Sequence, residues 1–250
     1  MTALGSVSVC MAAYNGAQNI AEQVTSILAE LGPEDELVIV DDASTDDTVE
    51  RIRAIGDLRV RLVEGGDNRG YARRFEESIV LARGDHIFLS DQDDVWPAGR
   101  VAVMQQALLT HQVVAGNVTR LGDGGSVRPR GAIGSWRLTA TQQRHPMRMI
   151  LRLASSQAPY YGSAMAIHRD VLPTALPLPE SARELHDGWL ALIGLMSHSM
   201  AHVEQVVVHR RIHTGNTTGS PRSPAKIAAG RVMFLRMCAE ARRRIRQTSR

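Results

Sequence analysis

Two short apolar runs each lead directly into a group of carboxylates. Leu37-Val38-Ile39-Val40 is followed by Asp41-Asp42-Ala43-Ser44-Thr45, and His86-Ile87-Phe88-Leu89 is followed by Ser90-Asp91-Gln92-Asp93-Asp94. Five acids gathered at one edge would repel, since two unit charges ~4 Å apart cost roughly 4 kcal/mol at an effective dielectric of 20. A hard divalent cation, Mg²⁺ or Mn²⁺, relieves that repulsion: carboxylate oxygens in a tight loop hold one side of the ion while substrate phosphates hold the other. Plainer roles compete. An Asp of the second group can cap the helix that follows Pro97, and Ser44 or Thr45 with Asp47 can cap the helix after the first group. Two phosphate-binding signatures are missing. The first strand-to-helix connection, Ala12-Ala13-Tyr14-Asn15-Gly16-Ala17, has one glycine where a dinucleotide fingerprint needs three, and no G-x-x-x-x-G-K-[ST] run exists in a chain whose one lysine is Lys226.

The elements that must position these acids alternate regularly. Val7-Ser8-Val9-Cys10-Met11 reads as a first strand, and Ile20, Val24, Ile27, Leu28 and Leu31 share one helical face that Gly32-Pro33 ends. Leu37-Val38-Ile39-Val40 repeats the pattern as a second strand, with a helix carrying Val49, Ile52 and Ile55. A third strand over 60–63, a loop through Gly65-Gly66-Asp67-Asn68-Arg69-Gly70, a third helix over 71–82 and a fourth strand over 86–89 follow. Such alternation with short connections predicts right-handed crossovers and a mainly parallel sheet flanked by helices, an α/β fold. Ligands then bind beyond the carboxyl ends of the strands, where both acid groups lie. Farther on, a helix to about Leu109 and a strand over 113–118 are expected, and residues 120–160, rich in Arg, Gly, Gln and Pro, read as loops and short pieces. A strand over 164–167, a helix near Val171, a helix opened by His186-Asp187-Gly188-Trp189, a strand over 203–209 and a last helix from about Ala225 complete the chain.

Composition bounds the answer. With 250 residues, 44% hydrophobic and 22% charged, the chain buries its own core and is neither disordered nor fibrous. Cys10 and Cys238 allow one disulfide at most, so a reducing cytoplasm is expected. No apolar run reaches the ~18 residues of a spanning helix. The first five residues lack the charged and apolar regions of a secretory signal. The net charge of +3 is concentrated: residues 231–250 hold seven arginines against Glu240, leaving the remainder acidic. Basicity confined to a terminal helix argues against nucleic acid and for an anionic lipid surface or a partner, and Val232-Met233-Phe234-Leu235 beside arginines would suit peripheral membrane contact. A solvated helix or an oligomer contact explains the same residues.

Ala13-Tyr14-Asn15, Val40-Asp41-Asp42-Ala43-Ser44-Thr45-Asp46, Asn68-Arg69-Gly70 and Ser90-Asp91-Gln92-Asp93-Asp94-Val95-Trp96 occur in this order. Together they resemble glycosyltransferase family 2, whose members have the nucleotide-sugar-binding GT-A fold. The resemblance extends from about Val7 to Thr218, and the Asp-Gln-Asp-Asp-x-Trp form resembles a bacterial rhamnosyltransferase-like subgroup. It implies a GT-A domain over 1–224, with a nucleotide-sugar half over 1–118, an acceptor half over 119–224, and the basic helix 225–250 beyond. It further implies that the backbone at Ala13 and Tyr14, with Asn15, Asp42 and Asp41, holds a pyrimidine base and ribose, and that Asn68 and Gly70 line the donor side. Asp91 would approach the ribose or the metal, Asp93 would be the principal ligand of Mg²⁺ or Mn²⁺, and His213 would complete the metal site.

By the same resemblance Asp187 is the general base, an acid at the start of a helix beneath the acceptor. The family often has a Glu-Asp pair where this chain has His186-Asp187. Helix capping is the plainer role for Asp187. Related sequences often carry Asn before the aromatic of Ala72-Arg73-Arg74-Phe75, yet Arg73 or Arg74 could meet phosphate or sugar. Gly162-Ser163 resembles the segment that flanks the acceptor. The implied reaction is inverting transfer of a sugar from a UDP- or dTDP-sugar to a glycan or lipid-linked acceptor in bacterial surface polysaccharide synthesis, in the cytoplasm or at the inner face of the membrane. Donor, linkage and assembly state stay open. Clustered Asp with His213 would also suit a metal-dependent phosphoesterase, and His186 in place of the acid would suit a nucleotide-sugar-binding protein without turnover.

Overall fold

Strand β1, Val7–Ala13, is buried along its whole length and sends alternate side chains to opposite faces of the sheet. Val9 and Met11 pack with Ile20, Val24 and Ile27 of helix α1, Ile20–Leu28. Cys10 and Ala12 pack on the other face with Phe75 and Ile79 of helix α3, Tyr71–Leu81. A strand covered on both sides has no room for polar alternation, which is why β1 reads as a continuous apolar run. These relations come from a computed structural model that describes residues 5–129, 131–182, 185–212 and 224–248.

The remaining elements are β2, Glu36–Asp41; α2, Thr48–Ala54; β3, Val60–Glu64; β4, His86–Ser90; α4, Arg100–Leu108; β5, Val113–Arg120; α5, Pro146–Ala154; β6, Met165–His168; α6, Leu172–Ala175; α7, His186–Met196; β7, Met200–Arg210; and α8, Pro224–Thr248. One seven-stranded sheet has the order β3-β2-β1-β4-β6-β5-β7. The pairs β1–β2, β2–β3, β1–β4 and β5–β7 are parallel, and β6 runs antiparallel to both β4 and β5. The sheet is therefore mixed but mainly parallel, as the alternation predicts. Strand order reverses at β1 and β4, so their following loops diverge and leave a crevice at the carboxyl edge. Register aligns Ala13 with Asp41 and Met11 with Ser90, which brings both acid groups to that edge.

Two regions differ from expectation. Within 120–160 a nine-residue helix, α5, starts on Pro146 at its first turn, where a missing N–H costs nothing. Only Met149 of α5 is buried, with Ile150 and Leu153 partly so, and this thin inner face is why the segment reads as loop. The basic helix α8 also does more than trail from the domain. Met237 and Ala241 are buried in the core shared with α7, and Phe234 and Cys238 pack beside them. Arg244 donates to the carbonyls of Thr174, Ala175 and Pro177 at 3.3, 3.4 and 2.8 Å, capping the end of α6. Cys238 and Cys10 are both free thiols.

Truncating Met237 to Ala should therefore cost about 2–5 kcal/mol in urea unfolding, the range for buried large-to-small changes. The same change at Leu235, exposed on the outer face of α8, should stay within about 0.5 kcal/mol.

Candidate active site

The first wall of the crevice is a closed hydrogen-bond network between the loops after β1 and β2. The Tyr14 N–H donates to Gln92 Oε1 at 2.9 Å and Gln92 Nε2 donates back to the Tyr14 carbonyl at 3.0 Å. A Cβ at Gly16 would run into Gln92 Oε1, so any other residue there would displace the Gln92 amide from Tyr14. Asn15 adopts a left-handed φ of 46°, which Asn tolerates. Its N–H donates to Ser44 Oγ at 2.9 Å and its Oδ1 accepts from the Thr45 N–H at 2.8 Å. Asp41 in turn accepts from the Ser44 N–H and hydroxyl at 2.8 and 2.5 Å. Ser44 and Thr45 thus serve the loop and do not cap α2. Asp47 occupies that cap position without a side-chain bond.

Asp42 organises the second wall. Its carboxylate accepts from the backbone N–H groups of Arg69 and Gly70 at 2.7 and 2.9 Å and from Arg74 Nε at 2.9 Å. Asp42 and Arg74 are both buried. Gly70 has a φ of 86°, which any side chain would strain, and so lets the loop turn into α3. Arg74 also pairs with Glu77 at 2.8 Å and donates to the Asp67 carbonyl. Asp42 and Arg74 therefore commit their polar atoms to each other and to the 67–70 loop, while Arg73 and Asn68 are exposed.

Between these walls Asp91, Asp93 and Asp94 each bring a carboxylate oxygen within 4.8 Å of the others. Each pair of ionised groups at that separation costs about 3 kcal/mol at an effective dielectric of 20. Asp94 lies deepest. It accepts from Ser163 Oγ at 3.0 Å and the Arg211 N–H at 3.1 Å, and burial, followed by the charges of Asp91 and Asp93, pushes its pKa up to about 7. Burial also raises Asp91, against the pull of Arg210. Arg100 lies beneath the cluster, buried and stacked 3.7 Å over the Trp96 ring. It donates to the carbonyls of Leu89, Ser163 and Val207 at 3.0, 2.7 and 3.0 Å, joining the ends of three segments. Burial lowers its pKa to about 9, opposed by the charges of Asp94 and Asp91. Three hard oxygen donors with a compressed charge fit a divalent cation, with Asp91 and Asp93 more accessible than Asp94. A bridge between Val95 and His209 leads the end of β7 to the same place. His213 lies outside the described residues.

Asp187 enters from the other side. It sits in the first turn of α7, where a negative charge is favoured, and accepts from the Gly188 N–H at 2.6 Å. Leu185 occupies the cap position, so Asp187 does not cap the helix. The Tyr71 hydroxyl donates to Asp91 Oδ1 at 3.2 Å and lies 3.4 Å from His186 Nε2. Tyr71 is 43% exposed, but its hydroxyl end is desolvated among these groups, and this, then the charges of Asp91 and Asp187, holds its pKa above the usual phenol value. His186 is buried, its ring 4.8 Å from Phe75 and 5.4 Å from Tyr71. Gly162 admits it, since a Cβ there would lie 2.7 Å from His186 Nε2. Gly162 and Ser163 accordingly shape the floor of the site, one against His186 and the other against Asp94.

Sequence reasoning placed Asp94 among the acids but missed Tyr71, Gln92, Arg100 and Arg210 as members of this assembly. Gln92 lies inside the acidic string and Tyr71 directly follows Asn68-Arg69-Gly70, so proximity in sequence was an available signal. Arg100 and Arg210 offered none: one looks like an ordinary polar position of a helix, the other like the end of a strand.

A family model described as glycosyl transferase family 2 matches residues 8–173, well over half of the chain. The succinoglycan biosynthesis protein ExoO of Rhizobium meliloti is 42% identical over 88 residues, 35% of this chain and 25% of that protein. The Escherichia coli UDP-Glc:alpha-D-GlcNAc-diphosphoundecaprenol beta-1,3-glucosyltransferase WfaP is 32% identical over 107 residues, 43% of each. The chain thus matches less than half the length of these relatives. Among solved structures, Staphylococcus aureus TarS in complex with UDP-GlcNAc superposes with a TM-score of 0.65 at 16% identity, covering 96% of this chain and 72% of that one. Mycobacterium tuberculosis glucosyl-3-phosphoglycerate synthase with Mn²⁺ and UDP-glucose superposes with a TM-score of 0.57 at 21% identity, covering 94% and 79%. These likenesses show the fold, GT-A.

Replacing Arg74 with Ala strands the buried Asp42 carboxylate and should cost about 3–5 kcal/mol in chemical denaturation. A pH prediction follows from Asp94. Its native pKa of about 7 lies above its unfolded value, so between about 4 and about 7 the native state holds a proton that the unfolded chain lacks, and stability falls as pH rises through that window. Melting temperatures across it in divalent-free buffer should decline for the parent and decline less for Asp94→Asn. Added Mn²⁺, which competes with the proton, should stabilise the parent more as pH approaches 7.

Proposed function

The chain belongs to glycosyl transferase family 2, and from that premise we propose that it is an inverting glycosyltransferase acting in bacterial cell-surface polysaccharide synthesis. Its donor is a UDP- or dTDP-sugar, dTDP-rhamnose being the narrowest form of the reading, and its acceptor is a hydroxyl of a glycan or lipid-linked saccharide. The observation that carries this is the Tyr71 hydroxyl, which donates to Asp91 Oδ1 at 3.2 Å and lies 3.4 Å from Nε2 of His186, the chain neighbour of Asp187. The end of β4 and the start of α7 thereby meet at one spot at the carboxyl edge of the sheet.

In this reading the backbone of Ala13, Tyr14 and Asn15, with Asp42 and Asp41, receives the pyrimidine nucleoside. The framework built on Asp42 and Arg74 keeps Asn68, Gly70 and Arg73 at the donor side. Asp91 and Asp93, joined by His213, hold a divalent cation. When bound, that cation offsets the charge that grows on the departing diphosphate. Asp187 takes the proton of the acceptor hydroxyl as its oxygen attacks the anomeric carbon from the face opposite the leaving group, which inverts the centre. The place of action is the cytoplasm, at the inner face of the membrane, and the two free thiols support a reducing compartment. No helix among the described residues is long and apolar enough to cross a membrane.

Titration calorimetry with UDP and dTDP, with and without Mn²⁺, and transfer assays over a panel of nucleotide sugars test the roles. Asp93→Asn should lose both metal-dependent nucleotide binding and transfer. Asp187→Asn should keep nucleotide affinity and lose transfer by about 10²-fold or more, the usual size of a general-base effect. Full transfer by both variants would overturn the assignments. Hydrolysis without an acceptor would favour a phosphoesterase, and metal-dependent binding with no transfer by the parent a non-catalytic binding protein.

A further inference from the structure

From Gly124 to Arg169 the chain has no acidic residue: seven of its 29 Lys and Arg lie in this stretch and all 26 Asp and Glu lie outside it. Helix α5 is at its centre. While Met149 faces the core, Met147 and Leu151, one turn apart on the opposite side, are 67% and 66% exposed. Arg144 and Arg148 beside them are exposed as well. Ile133, 77% exposed, is tethered to the end of α5, because its N–H donates to Gln157 Oε1 at 2.8 Å. Arg152 fastens the same junction by donating to the carbonyls of Gln157 and Ser135 at 2.9 and 3.1 Å.

We infer that α5 and the Ile133 loop form a docking surface for an anionic lipid bilayer. Apolar side chains at helical spacing with flanking arginines on an acid-free stretch suit the headgroup boundary, where the apolar groups insert and the guanidinium groups meet lipid phosphates. Glu204, an acid that touches this stretch, is engaged by the Ala140 N–H at 2.8 Å. A second copy of the chain suits it less, since a two-fold contact centred on α5 would set Arg144 and Arg148 against the same arginines of the other copy. An acidic polymer would answer the charge and leave Met147, Leu151 and Ile133 in water. Helix α8 is the competing surface, with Val232 and Leu235 also exposed. Its inner face is committed to the core, and Glu240 pairs with Arg243 and Arg244 at 2.5 and 2.7 Å. The docking rests on this surface alone and holds whichever sugar is transferred. Its consequence for the site is geometric: Leu153 of α5 approaches Gly188, where a Cβ would be 3.6 Å from Leu153 Cδ1, next to Asp187.

The test is flotation of the full chain with vesicles of phosphatidylcholine alone and of phosphatidylcholine containing about one third phosphatidylglycerol, at low and high salt. The parent should float with the anionic vesicles at low salt. Met147→Glu/Leu151→Glu and Arg144→Glu/Arg148→Glu should each lower the bound fraction about tenfold, and Val232→Glu/Leu235→Glu should float like the parent. All the substituted side chains are exposed, so melting temperatures should match the parent. The inference is overturned if the parent does not float, if it floats equally with neutral vesicles, or if the α5 variants float like the parent. It is overturned too if the α8 variant alone loses binding, or if sedimentation shows a dimer that the Met147→Glu/Leu151→Glu chain no longer forms while neither chain floats.

Discussion

Three carboxylates held at the end of one strand repel one another, and much of the architecture around them exists to hold that charge in place. Arg100 answers from below with a guanidinium that cannot reach solvent and that ties the ends of β4, the turn before β6 and β7 into one floor. Asp94 is fixed by Ser163 and by the backbone of Arg211, so the deepest acid is also the most constrained. Gln23 of α1 donates to Ser90 Oγ at 2.6 Å and to the Asp91 carbonyl at 3.0 Å, which fixes the strand end from the opposite face. Three oxygen donors this close together suit a hard divalent cation.

The walls of the crevice are built by a different kind of interaction. Asp42 and Arg74 form a buried pair whose Coulomb gain would not offset desolvation on its own. It is completed by backbone donors from Arg69 and Gly70, so that both carboxylate oxygens are satisfied. The same completeness recurs in Gln92, whose amide meets both polar groups of Tyr14 and couples the acid string to the loop after β1. Loops joined in this way form a rigid receptor edge, which suits recognition by backbone groups.

Charge is segregated across the chain as well as within the site. Asp41, Asp42, Asp91, Asp93 and Asp94 gather at the carboxyl edge of the sheet, while residues 124–169 around α5 carry seven arginines and no acid. A polyanionic ligand at the one and an anionic surface at the other would be met by opposite strategies, a bound cation in the first case and protein guanidinium groups in the second.

Alternation of apolar runs with amphipathic helices was enough to predict a mainly parallel sheet and the placing of both acid groups at its carboxyl edge, because periodicity and strand-end position are local properties. Asp91 and Asp93 could be singled out for the same reason, since they follow the end of a strand with a clear pattern, whereas Asp187 was pointed to by the family resemblance. Helix α5 escaped because Met147 and Leu151 on its outer face are as apolar as Met149, Ile150 and Leu153 on the inner one, and α8 because Val232 and Leu235 on its outer face blur the stripe of Phe234, Met237, Cys238 and Ala241. What only the tertiary structure decided is what each acid is bonded to. Asp42 accepts from Arg74 and the 67–70 loop, Asp94 accepts from Ser163, and the Tyr71 hydroxyl is brought between Asp91 and His186. These outcomes depend on partners 20 to 117 positions away in sequence, and hydrogen-bond competition among residues so distant leaves no trace in local pattern.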